Sequence, residues 1–293
     1  MSKRKIILYT NIDTDRELVV TAKVGEILEN SGWQPVLCPI SIEDSIHTDL
    51  SDITPQSRLH LSSIDKELDA AEMIITFGGD GTILRAARAA ADFGVPILGI
   101  NLGGKGFMAE LEAVEIDLLN SVAHGEYKIE TRIMIDAEIE RDGEILYRDF
   151  ALNDIVVKGD NKVIDMTIYG DNQKITSFSG DGTVIATPTG STAYSMSAGG
   201  PIVDPTAKNI IITPVCAHVL EARSFVLMLG RIVTVEIGNK KVNPAYISVD
   251  GGGHVSVQSG DIIRVCKSER NTKLVRLSDK SFYRKVSEKL GER

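Results

Sequence analysis

The chain has 293 residues, enough for two domains of ordinary size, with 43% hydrophobic and 25% charged residues. Its 32 basic and 41 acidic side chains leave a formal charge of −9 and a pI near 5.2, which argues against a nucleic-acid partner because phosphate backbones recruit basic surfaces. No apolar run approaches the roughly 18–20 residues of a membrane span, and the apolar residues 6–9 behind the basic start are too few for an export signal.

The first third alternates strand and helix signals. Residues 5–9 form a short apolar strand. Residues 16–30 carry Leu18, Val19, Ala22, Ile27 and Leu28 roughly on one helical face and stop at Gly32. Residues 33–38 read as a second strand, and the acidic stretch 41–72 as a loop with a short helix and a solvated face. Residues 71–77 are a third, buried strand that runs into Gly78-Gly79-Asp80-Gly81-Thr82. A helix follows with Ile83, Leu84, Ala86, Ala87, Ala90 and Ala91 on one face, stopped by Gly94, and residues 95–100 are a fourth strand. Strands separated by helices predict a parallel sheet with helices on its faces. Near Gly125 the helical period fades. Short β-branched runs at 132–140, 151–158, 163–169, 182–187, 210–214, 232–237, 246–249 and 261–266 predict an all-β domain. Residues 272–293 read as a strand followed by a polar helix. Cys38, Cys216 and Cys266 are odd in number and without a CxxC, so they read as free thiols of a reducing cytoplasm, with Cys216 as a small buried hydrophobe. His218 and His254 show no evident partner.

Four stretches carry chemistry. In Gly78-Gly79-Asp80-Gly81-Thr82, the glycines let backbone approach a phosphate, and the following helix start favours anionic oxygens. Asp80 would repel phosphate, so it fits a proton or cation role beside one; the plain alternative is a tight turn with Asp80 or Thr82 as helix cap. Asn101-Leu102-Gly103-Gly104-Lys105-Gly106-Phe107-Met108 should lie beside that loop on the same sheet edge. It nearly fits a P-loop, but Gly106 lacks the hydroxyl that would hold Mg²⁺, and a glycine-rich turn with Phe107 in the core stands beside the ligand-binding reading. Asn153-Asp154 interrupts the apolar strand 151–157; the two side chains suit ribose hydroxyls, or mark a strand end or bulge. Residues 180–201 are small and hydroxyl-rich with one tyrosine, Tyr194, fit to wrap a polar ligand and stack on a base.

Together these stretches resemble the NAD kinase family, ATP- or polyphosphate-dependent, in order and approximate spacing from about Lys5 to Lys267. The run Thr187-Pro188-Thr189-Gly190-Ser191-Thr192-Ala193-Tyr194 carries most of the likeness, since phosphofructokinases and lipid kinases share the first loop. The resemblance implies an α/β N-terminal domain with a parallel sheet, residues 1–125, to which residues 268–293 return. It also implies an all-β domain of residues 126–267 for NAD binding and oligomerisation. It implies transfer of the γ-phosphoryl group of ATP to the ribose 2′-hydroxyl of NAD, Mg²⁺ or another divalent cation accompanying ATP, and a cytoplasmic homodimer or homotetramer. Asp80 is implied as catalytic base. Gly79, Gly81 and Arg85 would flank the ribose and diphosphate, Phe107 the adenine, and Asn153 and Asp154 the ribose hydroxyls. Asp181 would reach a neighbouring subunit's nicotinamide end. Thr192, Ala193, Tyr194, Ser195, Met196 and Ser197 would line adenine and ribose, and Cys216 would offer a backbone contact. Metal ligands are not implied. The chain departs from the family's pattern at Asp154, at Gly252 in Asp250-Gly251-Gly252, where an amide contact is lost, and at Ser224. A lipid or small-metabolite kinase and a non-catalytic dinucleotide sensor stand as alternatives.

Overall fold

The computed structural model describes residues 4–40, 59–104, 106–218, 222–238, 243–278 and 282–291. The chain divides into two compact units, Met1–Thr131 with Thr272–Arg293, and Arg132–Asn271. Most of the acidic stretch 41–72, and Lys105, fall outside the described residues.

In the first unit, β1 (Arg4–Asn11) lies between β2 (Trp33–Ile40) and β3 (Ala71–Gly78), and β3 lies beside β4 (Ile97–Asn101), all parallel. Residues 6–11 of β1 and 73–78 of β3 are buried without alternation, because a parallel sheet is covered on both faces. Ile6, Leu8, Met73, Ile75, Phe77, Leu98 and Ile100 share one core with Val24 and Leu28 of α1 (Val19–Asn30). Helix α1 starts three residues later than the sequence period suggests. Glu17 and Leu18 sit at positive φ (60° and 55°), and the Asp15 carboxylate accepts the amides of Val20 and Thr21, so the first turn is built by a cap. Helix α2 (Asp80–Ala90) buries Thr82, Ile83, Ala86, Ala87 and Ala90 and ends where Gly94 turns at φ 63°.

The second unit is all β, as its β-branched runs predict. Strands β5 (Lys128–Arg141), which begins in the first unit, and β6 (Glu144–Ala151) form a hairpin. β7 (Asp154–Gly159), β8 (Ile164–Gly170), β9 (Gln173–Gly180), β10 (Gly182–Ala186), β11 (Asn209–Val215) and β12 (Phe225–Met228) follow. Then come β13 (Val233–Ile237), β14 (Ala245–Val249), β15 (Val255–Val257) and β16 (Ile262–Arg276), which ends back in the first unit. One antiparallel sheet has the order β12-β11-β10-β7-β14-β15, and another run has β9-β8-β13-β16. Ile155, Val157, Ile185, Ile210, Ile212 and Ile247 from the first of these share a core with Met166, Ile168, Val233, Val235 and Ile263 from the second. The predicted single strand 151–158 is broken: β6 ends at Ala151, β7 starts at Asp154, and Asn153 stands in the gap. Strands β6, β9, β12 and β15 lie outside the predicted runs: β12 and β15 are only four and three residues long, and β6 and β9 mix polar with apolar residues. The hydroxyl-rich stretch holds short helical turns, Thr189–Thr192 and Tyr194–Ser197. Among the described residues no helix is long and apolar enough to cross a membrane.

The turn between β3 and α2 depends on Gly78. Its φ is 154°, and a Cβ there would stand 2.3 Å from Thr82 Oγ1 and 3.3 Å from Asn11 Cβ. Gly78→Ala is therefore expected to lower the unfolding free energy by about 1–3 kcal/mol. Urea denaturation checks this, and an unchanged midpoint would show that the turn accepts a side chain.

Candidate active site

The first unit places the two glycine-rich loops side by side. Gly78 pairs with Asn101 at the carboxyl edge of the parallel sheet, and the Leu102 amide donates to the Gly78 carbonyl at 3.3 Å. That edge is where open α/β sheets bind ligands. Asp80 is the first residue of α2, and the N-cap position is held by Gly79 in extended conformation. The Asp80 carboxylate accepts the Phe107 amide on Oδ2 at 2.7 Å and the Met108 amide on Oδ1 at 3.1 Å. Each oxygen keeps a further lone pair, so the group is oriented and still able to accept a proton. A Cβ at Gly106 would stand 2.6 Å from Asp80 Oδ1, so a side chain there would displace that carboxylate. Thr82 is no cap, and its buried Oγ1 has no partner among the described residues. Gly81 and Arg85 are exposed on the first turn and a half of α2, and Phe107 is half-buried with Lys289 Nζ 5.0 Å from its ring centre.

The second unit has its own cleft of about 470 Å³, within the range of small-molecule sites, lined by residues that include Asn153, Asp154, Lys158, Tyr194, Tyr246 and His254. The gap after β6 is held by Asp250. Its carboxylate accepts the amides of Leu152 (2.8 Å), Asn153 (2.7 Å) and Asp154 (3.1 Å), while its own amide donates to the Asp154 carbonyl at 2.9 Å. Asp250 adopts φ 49° to do this. Asp154 is 5% exposed. Burial pushes its carboxyl up to about 7, the Asp250 charge adds to this, and a hydrogen bond from the Tyr194 backbone opposes it.

Asn153, Asp154, Ala193 and Tyr194 of the sequence-derived set line this cleft. Thr192, Met196 and Ser197 occupy the adjoining helical turns, and Ser195 is fully buried with its hydroxyl on Thr213 Oγ1 at 2.9 Å. Asp181 sits just before β10, its amide donating to the Val215 carbonyl at 3.0 Å. Cys216 corrects a sequence expectation. It is exposed, because the chain leaves β11 through φ 46° and turns the thiol outward. His254 corrects another: it stacks on Tyr246 with ring centres 3.8 Å apart and planes at 15°. Tyr246, Ser248, Lys158 and His254 were missed as lining residues. Strand alternation held the signal, since Tyr246↔Lys158 and Ser248↔Val156 are register pairs leading to Asp250 on one face.

Residues 13–127 match the ATP-NAD kinase N-terminal domain and residues 152–277 the ATP-NAD kinase C-terminal domain. The chain belongs to the NAD kinase family. An NAD kinase of Ruminiclostridium cellulolyticum is 36% identical over 297 residues, covering 99% of each chain, and one of Natranaerobius thermophilus is 38% identical over 292 residues, covering 98% of each. The fold is shared with solved structures. Yeast NADH kinase complexed with NADH aligns at a TM-score of 0.83, with 23% identity over 99% of this chain and 88% of that one. An NAD kinase from Archaeoglobus fulgidus in complex with ATP aligns at 0.70, with 23% identity over 98% of both. Membership of the NAD kinase family sets the lipid-kinase alternative aside.

The Asp154 carboxyl gives a pH test. It holds a proton in the folded state between about pH 4, where an unfolded aspartate ionises, and about pH 7. The folded state then binds more protons than the unfolded one, so stability falls as pH rises through that window and levels off above it. Asp154→Asn is expected to remove this component, at most about 1.4 kcal/mol per pH unit, and to be more stable than the parent at pH 8 than at pH 4.5. Parallel denaturation of both proteins across that range decides it, and identical slopes would show that Asp154 ionises normally.

Proposed function

We propose that this chain transfers the γ-phosphoryl group of ATP to the 2′-hydroxyl of the adenosine ribose of NAD, yielding NADP and ADP, with Asp80 as general base. The observation that carries the assignment of Asp80 is its carboxylate, fixed by two main-chain amides at the carboxyl edge of a parallel sheet. The ribose oxygen attacks the γ-phosphorus in line, the bond to the β-phosphate oxygen breaks, and the hydroxyl proton passes to Asp80. Phosphoryl transfer has a loose transition state, so most of the acceleration comes from positioning and charge neutralisation.

In this reading Gly79, Gly81 and Arg85 flank the diphosphate and ribose, and Phe107 lies against the adenine. Asn153 and Asp154 take ribose hydroxyls. Thr192, Ala193, Tyr194, Met196 and Ser197 surround adenine and ribose on a frame that Ser195 anchors from below. Asp181 reaches the nicotinamide end of a neighbouring subunit's NAD in a cytoplasmic homodimer or homotetramer, and the backbone at Cys216 offers a further contact to NAD. In this reading Mg²⁺ or another divalent cation accompanies ATP and would neutralise charge on its phosphates.

Incubation with NAD⁺, ATP and Mg²⁺ is expected to form NADP⁺. Asp80→Asn is expected to cut kcat by at least about 10²-fold while NAD affinity, read by calorimetry, stays within a few-fold. The variant should also melt slightly lower, because an amide group would turn a donor toward one of the two amides that Asp80 accepts. Near-normal turnover would remove Asp80 from the chemistry, and NAD⁺ binding without turnover by the parent chain would favour a sensor.

A further inference from the structure

Residues 107–110 face two ways. On one side the Phe107 and Met108 amides hold Asp80. On the other, the same residues are gripped by a segment 166 or more positions away in sequence. Arg276 Nη1 donates to the Met108 carbonyl at 2.9 Å, and Lys285 Nζ to the Ala109 carbonyl at 2.6 Å. Lys285 and Lys289 belong to α3 (Phe282–Gly291), and Lys289 stands over the Phe107 ring. Glu110 is 3% exposed. Its Oε1 accepts the amides of Leu277 (3.0 Å) and Ser278 (2.9 Å) and the Ser278 hydroxyl (2.8 Å), and its Oε2 meets Arg276 at 3.3 Å. Arg276 also meets Glu130 at 2.9 Å. A charge this deeply buried is retained only where opposite charge and N–H donors surround it, and removing one partner leaves the other uncompensated. The Glu110 amide closes the segment onto the sheet by donating to the Gly99 carbonyl at 2.9 Å.

We propose that the ion pair of buried Glu110 with half-buried Arg276, backed by Lys285 and Lys289, is a positioning device for the reaction: through the Phe107 and Met108 amides it sets the direction of the Asp80 carboxylate. This rests on the reading of Asp80 as base. None of the four residues need touch substrate. Their effect is transmitted along two peptide groups, and a displacement of about 1 Å at a reacting group costs about 10²-fold in rate.

The test uses the full chain. Arg276→Lys keeps the charge and loses the planar fork that reaches Met108, Glu110 and Glu130 together. It is expected to lower kcat about ten- to a hundredfold with the KM for NAD within about threefold. Lys285→Met should act in the same direction and more weakly, and it takes over the test if Arg276→Lys does not fold. The deciding measurement is the double variant: in an Asp80→Asn background, Arg276→Lys should lower kcat by less than about twofold more, because a residue acting through Asp80 has nothing left to position. An unchanged kcat for the single variant, or the same loss in both backgrounds, overturns the proposal. Failure of the Asp80 reading shows differently, as near-normal turnover of Asp80→Asn alone.

Discussion

Two peptide N–H groups on one carboxylate organise the first unit. An aspartate in a glycine-rich turn at the start of a helix is held in place only if its carboxylate finds donors. Phe107 and Met108 supply them from the neighbouring loop, 27 and 28 residues on. That neighbour is available because β3 and β4 are adjacent and parallel, ending level at Gly78 and Asn101. The glycines at 78 and 106 are the steric counterpart: one lets the chain turn over Thr82, the other lets backbone reach within contact of the Asp80 oxygen.

The second unit uses the same device on a different segment. Asp250 collects three successive amides at the break between β6 and β7 and thereby presents Asn153 and Asp154 to the cleft. In both places a carboxylate with saturated backbone donors fixes a short irregular segment. Irregular backbone is needed to offer polar groups to a ligand, and unpaired amides would be costly there. Burial, with the Asp250 charge as the second cause, raises the Asp154 carboxyl to about 7.

Much of this was legible. Short apolar strands ending in glycine clusters located the loops at one sheet edge, and alternation of β-branched residues placed the second unit. Strand β9, with the sequence Gln173-Lys174-Ile175-Thr176-Ser177-Phe178-Ser179-Gly180, was not legible, because its burial comes from pairing with β8 rather than from its own pattern. The exposed Cys216 and the Tyr246–His254 stack were equally hidden, one set by a left-handed turn at a strand end and the other by the meeting of β14 with the approach to β15.

By itself the sequence determined the two-part architecture, the loops that carry polar and glycine residues, and the family those loops resemble, since local spacing and composition encode each of these. The tertiary structure alone decided which groups satisfy which charges: Phe107 and Met108 on Asp80, Arg276 on Glu110, and Asp250 on the amides of residues 152–154. Hydrogen-bond partners tens to more than a hundred residues apart are chosen by strand order and register, which no local pattern specifies.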